Sequence, residues 1–150
     1  MIRPILIHPA PILRDTSAPV PEINDWVRTL LDDMLETMYD AQGLGLAAVQ
    51  IGVLQRLVVI DTDWKEGARN PLFFVNPEIG WSSTTTESRE ERCLSIPNTP
   101  KEVIRPDRVR VRYLDRDGLS RETEMTGLMA MVIQHEVDHL EGVLILDRAA

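Results

Sequence analysis

The sequence predicts an α+β fold in which mostly antiparallel sheets pack around a helix near the C-terminus, with a second, amphipathic helix near the N-terminus. Two observations support this prediction. Stretches with strand character cluster in the middle of the chain, and helical periodicity occurs near each end. The 150 residues contain no repeat and no linker-like segment, so we expect a single domain over residues 1–150.

The first helix is predicted from apolar residues that recur with the i, i+3, i+4, i+7 spacing of one helix face. These residues are Val27, Leu30, Leu31, Met34, Leu35 and Met38. Asn24 or Asp25 can cap the start of the helix, and Gly43 follows its end. The proline-rich segment before it, residues 4–21, is expected to run as an extended strap over the domain.

Four stretches rich in β-branched and aromatic residues predict strands. They are RLVVID at 56–61, PLFFVNP at 71–77, VRVRYL at 109–114 and, with weaker alternation, ETEMT at 122–126. The turn sequence DRDG at 115–118 joins the last two, which predicts an antiparallel hairpin. Arginines alternate with apolar residues in the surrounding segment 105–117. We interpret that segment as a strand with one solvated face rather than as an RNA-binding element.

Composition restricts the classes of partner. The net charge of −8 repels nucleic acid phosphates, so direct nucleic acid binding is not expected. No apolar stretch approaches the roughly 20 residues of a membrane span. The N-terminal segment 1–15 meets proline and charge too early for a signal peptide, which predicts a cytoplasmic location.

The single cysteine, Cys93, has no disulfide partner in the chain and is either a small buried residue or a ligand or nucleophile.

A second helix is predicted from about Thr126 to Leu140. At about 100° per residue, one of its faces carries both histidines of the segment together with three apolar residues. That face consists of Leu128, Met131, Val132, His135 and His139. We therefore expect the histidines to point into the protein, beside an apolar wall that could hold a flexible apolar side chain.

The segment QHEVDHLEG at 134–142 predicts a metal site. His135 and His139 lie one helical turn apart, close enough to share one ion, and Glu136 lies at the edge of the same face. A catalytic site of the zinc type usually has three protein ligands and one open position. Only residues 140–150 follow the second histidine, so the third ligand is expected upstream. The candidates are carboxylates, Cys93 and His8.

Two further stretches accompany this segment: GLGLAAVQ at 43–50 and ERCLS at 91–95. Together the three resemble, in order and spacing, the three motifs of the peptide deformylase family. The opening HPAPILRDTSAPV and the segments VIDTD and FFVNPEI are similar as well, so the resemblance covers essentially the whole chain. Deformylases remove the formyl group from the N-terminal formyl-methionine of newly made bacterial polypeptides.

The resemblance implies one divalent metal ion, Fe(II) or Zn(II). The ligands it implies are Cys93, His135 and His139. It assigns Glu136 as the acid–base residue, and it assigns the Gln50 side chain and the Leu94 N–H as donors to the formyl oxygen. These assignments agree with general chemistry, because a developing oxyanion needs preorganised donors and the leaving amine needs a proton.

The resemblance also places the substrate. A formyl-methionyl peptide is expected to lie like an added strand along Gly43, Leu44 and Gly45, where glycine permits close backbone approach. Taken alone, these glycines are more typical of a plain turn after the first helix than of a substrate groove. The methionine side chain is expected against the apolar wall of the second helix, Leu128, Met131 and Val132. The ribosome is expected as a transient partner.

One position departs from the family pattern. The second motif normally has glycine where this chain has Arg92. The arginine would narrow the substrate groove, attract a substrate that bears a carboxylate, or point into solvent. Two alternative functions follow from this departure: a hydrolase for another N-formyl or N-acyl compound, and a peptide-binding module with weakened catalysis.

Partners of the ligating histidines are also predicted. A metal-bound histidine usually donates its other ring N–H to a carboxylate or carbonyl. Glu91, two residues before the cysteine, is the candidate for one of them. Asp138 lies on the far flank of the second helix and is expected to pair with Arg105.

Overall fold

The computed structural model describes residues 1–150, and it confirms the α+β architecture. A five-stranded sheet has the order β1-β2-β3-β6-β7, and a two-stranded sheet is formed by β4 and β5; all these strand pairs are antiparallel. The strands are β1 (Gly45–Ala47), β2 (Leu57–Ile60), β3 (Leu72–Ser82), β4 (Thr86–Cys93), β5 (Ile96–Pro106), β6 (Arg108–Leu114) and β7 (Ser120–Thr126). The helices are α1 (Asp25–Asp40), α2 (Gly127–Leu140) and α3 (Ile145–Arg148).

The four predicted strands are confirmed as β2, β3, β6 and β7. All four residues of β2 are buried, which explains its continuous apolar run. In β6 exposed and buried residues alternate, so the arginine-rich segment has one solvated face as predicted. The turn at 115–118 joins β6 and β7 into the predicted hairpin, with Val111 opposite Thr123. β3 extends five residues beyond the predicted end, to Ser82.

The β4–β5 hairpin is absent from the sequence prediction. Most residues of β4 are exposed and polar, and β5 contains three prolines, so neither stretch shows the period-two apolar pattern of a half-buried strand. The hairpin is nevertheless long, with Thr86 opposite Pro106 at one end and Cys93 opposite Ile96 at the other. The turn between β4 and β5 follows Cys93 directly and places this residue in the interior.

The predicted apolar face of α1 is buried against the sheet. Asn24 caps the helix, because its side-chain oxygen accepts a hydrogen bond from the Val27 N–H at 3.0 Å. The segment before α1 is extended, as predicted, apart from a short 3₁₀ turn at Pro11–Arg14. It is held to the site region by a bond from the His8 N–H to the Ser95 carbonyl, 2.8 Å.

Helix α2 occupies the centre of the molecule. It packs against β1, β2, β3, β6 and β7 of the large sheet and against β5 of the hairpin. Eight of its residues are buried: Ala130, Val132, Ile133, Gln134, His135, Glu136, His139 and Leu140. No helix of the structure is long and apolar enough to cross a membrane. The central position of α2 brings its motif between the edge strand β1 and the end of β4.

Candidate metal centre and active site

The two histidines of α2 point inward, as their helical phase predicts. His135 is 7% exposed and His139 is 1% exposed. The apolar residues of the same face grade from the interior to the surface: Val132 is buried, Met131 is half-buried and Leu128 is 36% exposed. The face therefore runs from a buried polar end to an apolar end that reaches solvent.

Cys93 is the upstream residue that completes the donor cluster. Its sulfur lies 3.3 Å from Nε2 of His139. One donor atom from each of Cys93, His135 and His139 lies within 4.8 Å of the others, and all three residues are buried. His8 and the carboxylates are not part of this group. A thiolate with two imidazoles suits a divalent first-row metal ion, so the chemistry of the donors fits the predicted cofactor.

A buried ion network supports the cluster from behind. Oε1 of Glu91 lies 3.1 Å from Nδ1 of His135, which confirms the predicted partner and leaves Nε2 of this ring for the cluster. Arg105 donates to both oxygens of Glu91, at 2.7 and 3.0 Å, and to Asp138 at 2.9 Å. The predicted pairing of Arg105 with Asp138 is thus confirmed. The sequence did not predict the Arg105–Glu91 ion pair, which connects the His135–Glu91 pair and the Arg105–Asp138 pair in one network.

Electrostatics separates the roles of the titratable groups. Burial, together with the nearby charges of His135 and Arg105, lowers the pKa of His139 well below its usual value, so this ring stays neutral, as a metal ligand must. Burial opposes the charged form of His135, but its contacts with Cys93 and Glu91 raise its pKa to about 10. A bound cation would replace that extra proton. Burial also raises the pKa of Glu136 to about 7, against the attraction of His135.

Gln50 is held rigidly beside Cys93. Its side-chain Oε1 accepts from the Ala47 N–H at 2.9 Å, and its Nε2 donates to the hydroxyl of Ser95 at 3.0 Å. The same Nε2 lies 3.8 Å from the Cys93 sulfur. The side-chain amide is therefore fixed with its donor toward the cluster. Sequence analysis did not identify Ser95 as its anchor.

A pocket of about 360 Å³ opens in front of the cluster. Every residue assigned to the site by sequence lines it, except His139, which lies deeper. The pocket also includes three residues that sequence analysis missed. The full lining is Gln42, Gly43, Leu44, Gly45, Gln50, Lys65, Glu90, Arg92, Cys93, Leu94, Leu128, Met131, Val132, His135 and Glu136.

The two glycines of the first motif differ in their surroundings. Gly43 directly follows the turn that ends α1, where its N–H donates to the Met38 carbonyl at 2.9 Å. Gly45 begins β1, which forms the edge of the large sheet and therefore has one side of its backbone without a strand partner. A β-carbon at Gly43 would lie 2.7 Å from a methyl of Leu94. A β-carbon at Gly45 would lie 2.8 Å from Glu136 and 2.9 Å from Val132. A side chain at either position would therefore force Leu94, Glu136 or Val132 to move.

Arg92 lies at the mouth of the pocket rather than across it. Its side chain is 73% exposed and pairs with Glu90 at 2.9 Å. Lys65 lines the same pocket from the loop after β2. No sequence signal singles out Lys65, since its loop carries no periodic pattern.

A buried group of one cysteine and two histidines that could hold a metal ion, next to a buried glutamate at the base of a pocket, is the arrangement of a metallohydrolase site. The family model of polypeptide deformylase matches residues 2–150. A peptide deformylase of Phenylobacterium zucineum is 52% identical over 146 residues, which cover 97% of this chain and 86% of that protein. The chain therefore belongs to the polypeptide deformylase family, as the three motifs predicted.

Solved structures agree with this assignment. The peptide deformylase of Thermotoga maritima superposes with a TM-score of 0.94 at 39% identity, over 100% of this chain and 99% of that one. A peptide deformylase of Acinetobacter baumannii solved with Met-Ala-Ser bound gives a TM-score of 0.92 at 33% identity, over 99% and 98% of the two chains. The family consists of metal-dependent hydrolases that remove the N-formyl group from nascent formyl-methionyl peptides.

Proposed function

We propose that this chain deformylates formyl-methionyl peptides with one divalent ion, Fe(II) or Zn(II), held by Cys93, His135 and His139. The observation that supports this most directly is the buried group of three donor atoms within 4.8 Å of one another. A metal ion there would supply Lewis-acid activation of a water molecule at neutral pH. Substrates of a different N-acyl type and a purely binding role are less well supported, because the chain belongs to the deformylase family.

Glu136 is proposed as the proton carrier. Its Oε1 is buried and has no hydrogen-bond partner in the protein, so it is free to accept a proton from the attacking water. The carboxyl then donates that proton to the nitrogen of the leaving amine. Burial raises the pKa of this carboxyl, and a raised pKa suits a group that both accepts and donates a proton.

Gln50 and Leu94 are proposed to hold the formyl oxygen. Negative charge develops on that oxygen in the transition state, and donors fixed in advance stabilise it most. The Gln50 amide is fixed at both ends, by Ala47 and Ser95. The Leu94 N–H follows Cys93 directly, so it lies next to the same cluster.

The peptide is proposed to bind along the free edge of β1. Gly43, Leu44 and Gly45 offer their backbone to an extended chain, and Leu128, Met131 and Val132 receive the methionine side chain. A deformylase of Acinetobacter baumannii was solved with Met-Ala-Ser bound, which supports a short methionyl peptide as the kind of ligand for this groove. Arg92 then lies beside the part of the peptide that leaves the pocket.

We further propose that residues 1–150 act as one domain in the cytoplasm, with the ribosome as a transient partner. Formyl-methionine occurs at the N-termini of chains that are leaving the ribosome, which supports this placement. The charge of −8 argues against direct binding to nucleic acid.

The test is purification without oxygen, followed by metal analysis and an assay of formate released from formyl-Met-Ala-Ser. We expect about one Fe(II) or Zn(II) per chain and rapid release of formate. Cys93→Ala should lose the metal, whereas Ser88→Ala, an exposed change on the same strand, should keep it. Retention of full metal content by the Cys93→Ala protein would refute the ligand assignment.

A further inference from the structure

The mouth of the pocket has a charged side that the deformylation chemistry does not use. Arg92 from β4 and Lys65 from the loop after β2 both line the pocket, and Glu90 lies beside Arg92. The lining of the pocket also includes apolar residues, among them Leu128 and Leu94. A peptide that leaves the pocket therefore meets apolar side chains and two cations, one of which is paired with Glu90.

Both cations can still bind a carboxylate of the substrate. Arg92 is paired through one nitrogen, Nη2, with Glu90, and both side chains are mostly exposed, at 73% and 56%. Such exposed pairs are weak and readily exchanged. A guanidinium has five N–H donors, so Arg92 can also bind a second carboxylate. Lys65 forms no ion pair in the structure; its ammonium lies 5.5 Å from the centre of the Trp64 ring.

The substrate must leave the pocket after its methionine. An extended chain advances roughly 3.3 Å per residue, so the residues that follow the methionine lie progressively farther from the buried cluster, and the exposed side chain of Arg92 lines the same pocket. Elsewhere the chain carries a large excess of negative charge, −8 in total, which would repel an acidic peptide. The two cations oppose that repulsion locally.

We propose that Arg92 and Lys65 form a carboxylate-binding rim that favours formyl-methionyl peptides with a carboxylate two or three residues from the N-terminus. The carboxylate belongs either to an Asp or Glu side chain or to the C-terminus of a short peptide. This inference rests on the proposed function, since it concerns the same substrate groove. It assigns Arg92, where the family motif has glycine, a role in substrate selection.

The test compares substrates that differ only in charge. Formyl-Met-Ala-Glu and formyl-Met-Ala-Gln, each as the free acid and as the C-terminal amide, are assayed with the metal-loaded protein at low salt. We expect kcat/KM to be about threefold to tenfold higher for the Glu peptide amide than for the Gln peptide amide, through a lower KM, and the gap to shrink as salt is added. Comparison of acids with amides separates the C-terminal carboxylate from the side chain.

The variants isolate the rim. Arg92→Gln and Lys65→Gln should each reduce the preference, and Arg92→Glu should reverse it. Arg112→Gln, at an exposed arginine on β6 that lies outside the pocket, should retain it. Equal kcat/KM for the Glu and Gln peptides in the native protein, or a preference that survives Arg92→Gln, would overturn the proposal.

Binding measurements keep this result separate from the deformylase assignment. Titration of the protein with the products Met-Ala-Glu amide and Met-Ala-Gln amide requires no turnover, and we expect the former to bind more tightly by a similar factor. An inactive protein that still shows this difference would contradict the proposed function and support the rim. An active protein that binds both products equally would support the proposed function and contradict the rim.

Discussion

Gly45 lies so close to Glu136 that a β-carbon at position 45 would be 2.8 Å from Oε2 of the carboxylate. The edge strand β1 therefore fixes the glutamate from one side, while α2 carries it from the other. The same β-carbon would lie 2.9 Å from Val132, in the apolar wall of the pocket. The absence of a side chain at position 45 thus leaves space for both the proposed proton carrier and the wall of the methionine site.

Gly45→Ala is expected to lower kcat by about 100-fold, because a shift of the catalytic group of about 1 Å has an effect of this size. Metal content should stay unchanged, since residue 45 offers no ligand. The measurement is steady-state hydrolysis of formyl-Met-Ala-Ser by metal-loaded protein. Gly80→Ala in β3 is the matched control, because its β-carbon would meet nothing closer than 3.8 Å. Normal turnover in the Gly45→Ala protein would contradict this role of glycine.

Glu136→Gln is expected to keep the metal and to lose hydrolysis by roughly 10²–10⁴-fold, which is the usual contribution of an acid–base residue. The substitution preserves size and removes the proton carrier. Metal analysis and formate release measure the two properties on one sample. Glu122→Gln, at an exposed glutamate of β7, serves as the control. Loss of metal from the Glu136→Gln protein would instead make this residue a ligand.

Glu91→Gln is expected to weaken metal binding by about 10–100-fold, because the carboxylate orients His135 and balances Arg105. Competition with a chelator measures the affinity. Glu87→Gln lies on the same strand in an exposed ion pair with Arg89 and should have no effect. If both variants bind metal like the native protein, the network serves stability and does not position the ligand.

Asp61 is expected to make stability depend on acid pH. Burial alone would raise its pKa, but hydrogen bonds hold it below the usual value. The donors are the Tyr39 hydroxyl, at 2.5 Å, and the backbone N–H groups of Asp63, Trp64 and Asn70. A group with a lowered folded-state pKa stabilises the protein above its unfolded pKa, about 3.9, and this contribution disappears as pH falls through the folded value.

Asp61→Asn should therefore be less stable than the native protein above about pH 5. The difference should decrease progressively below about pH 4, as the native carboxyl becomes protonated. Urea unfolding of both proteins between pH 3 and 7 measures the difference. Asp40→Asn, at an exposed residue of α1, is the control and should follow the native curve. A difference that remains constant down to pH 3 would show that charge on Asp61 is not involved.

Local patterns in the sequence determined much of this protein. The apolar stripe of α1, the strands β2, β3, β6 and β7, and the inward phase of His135 and His139 each depend on residues close in the chain. Their periodicities are therefore visible without a structure. The three motifs then indicated the family, and with it the expected ligands and the acid–base glutamate.

Only the tertiary structure decided the rest, because the determining contacts join residues far apart in sequence. The β4–β5 hairpin was missed because β4 is mostly polar and β5 contains three prolines, so that cross-strand pairing rather than an apolar pattern holds the two strands together. Arg105 contacts Glu91 across that hairpin and Asp138 on α2. Lys65 reaches the pocket from a loop without any pattern. At Gly45 a β-carbon would displace side chains of α2, and the close approach of α2 to β1 that causes this is a distance that no local propensity encodes.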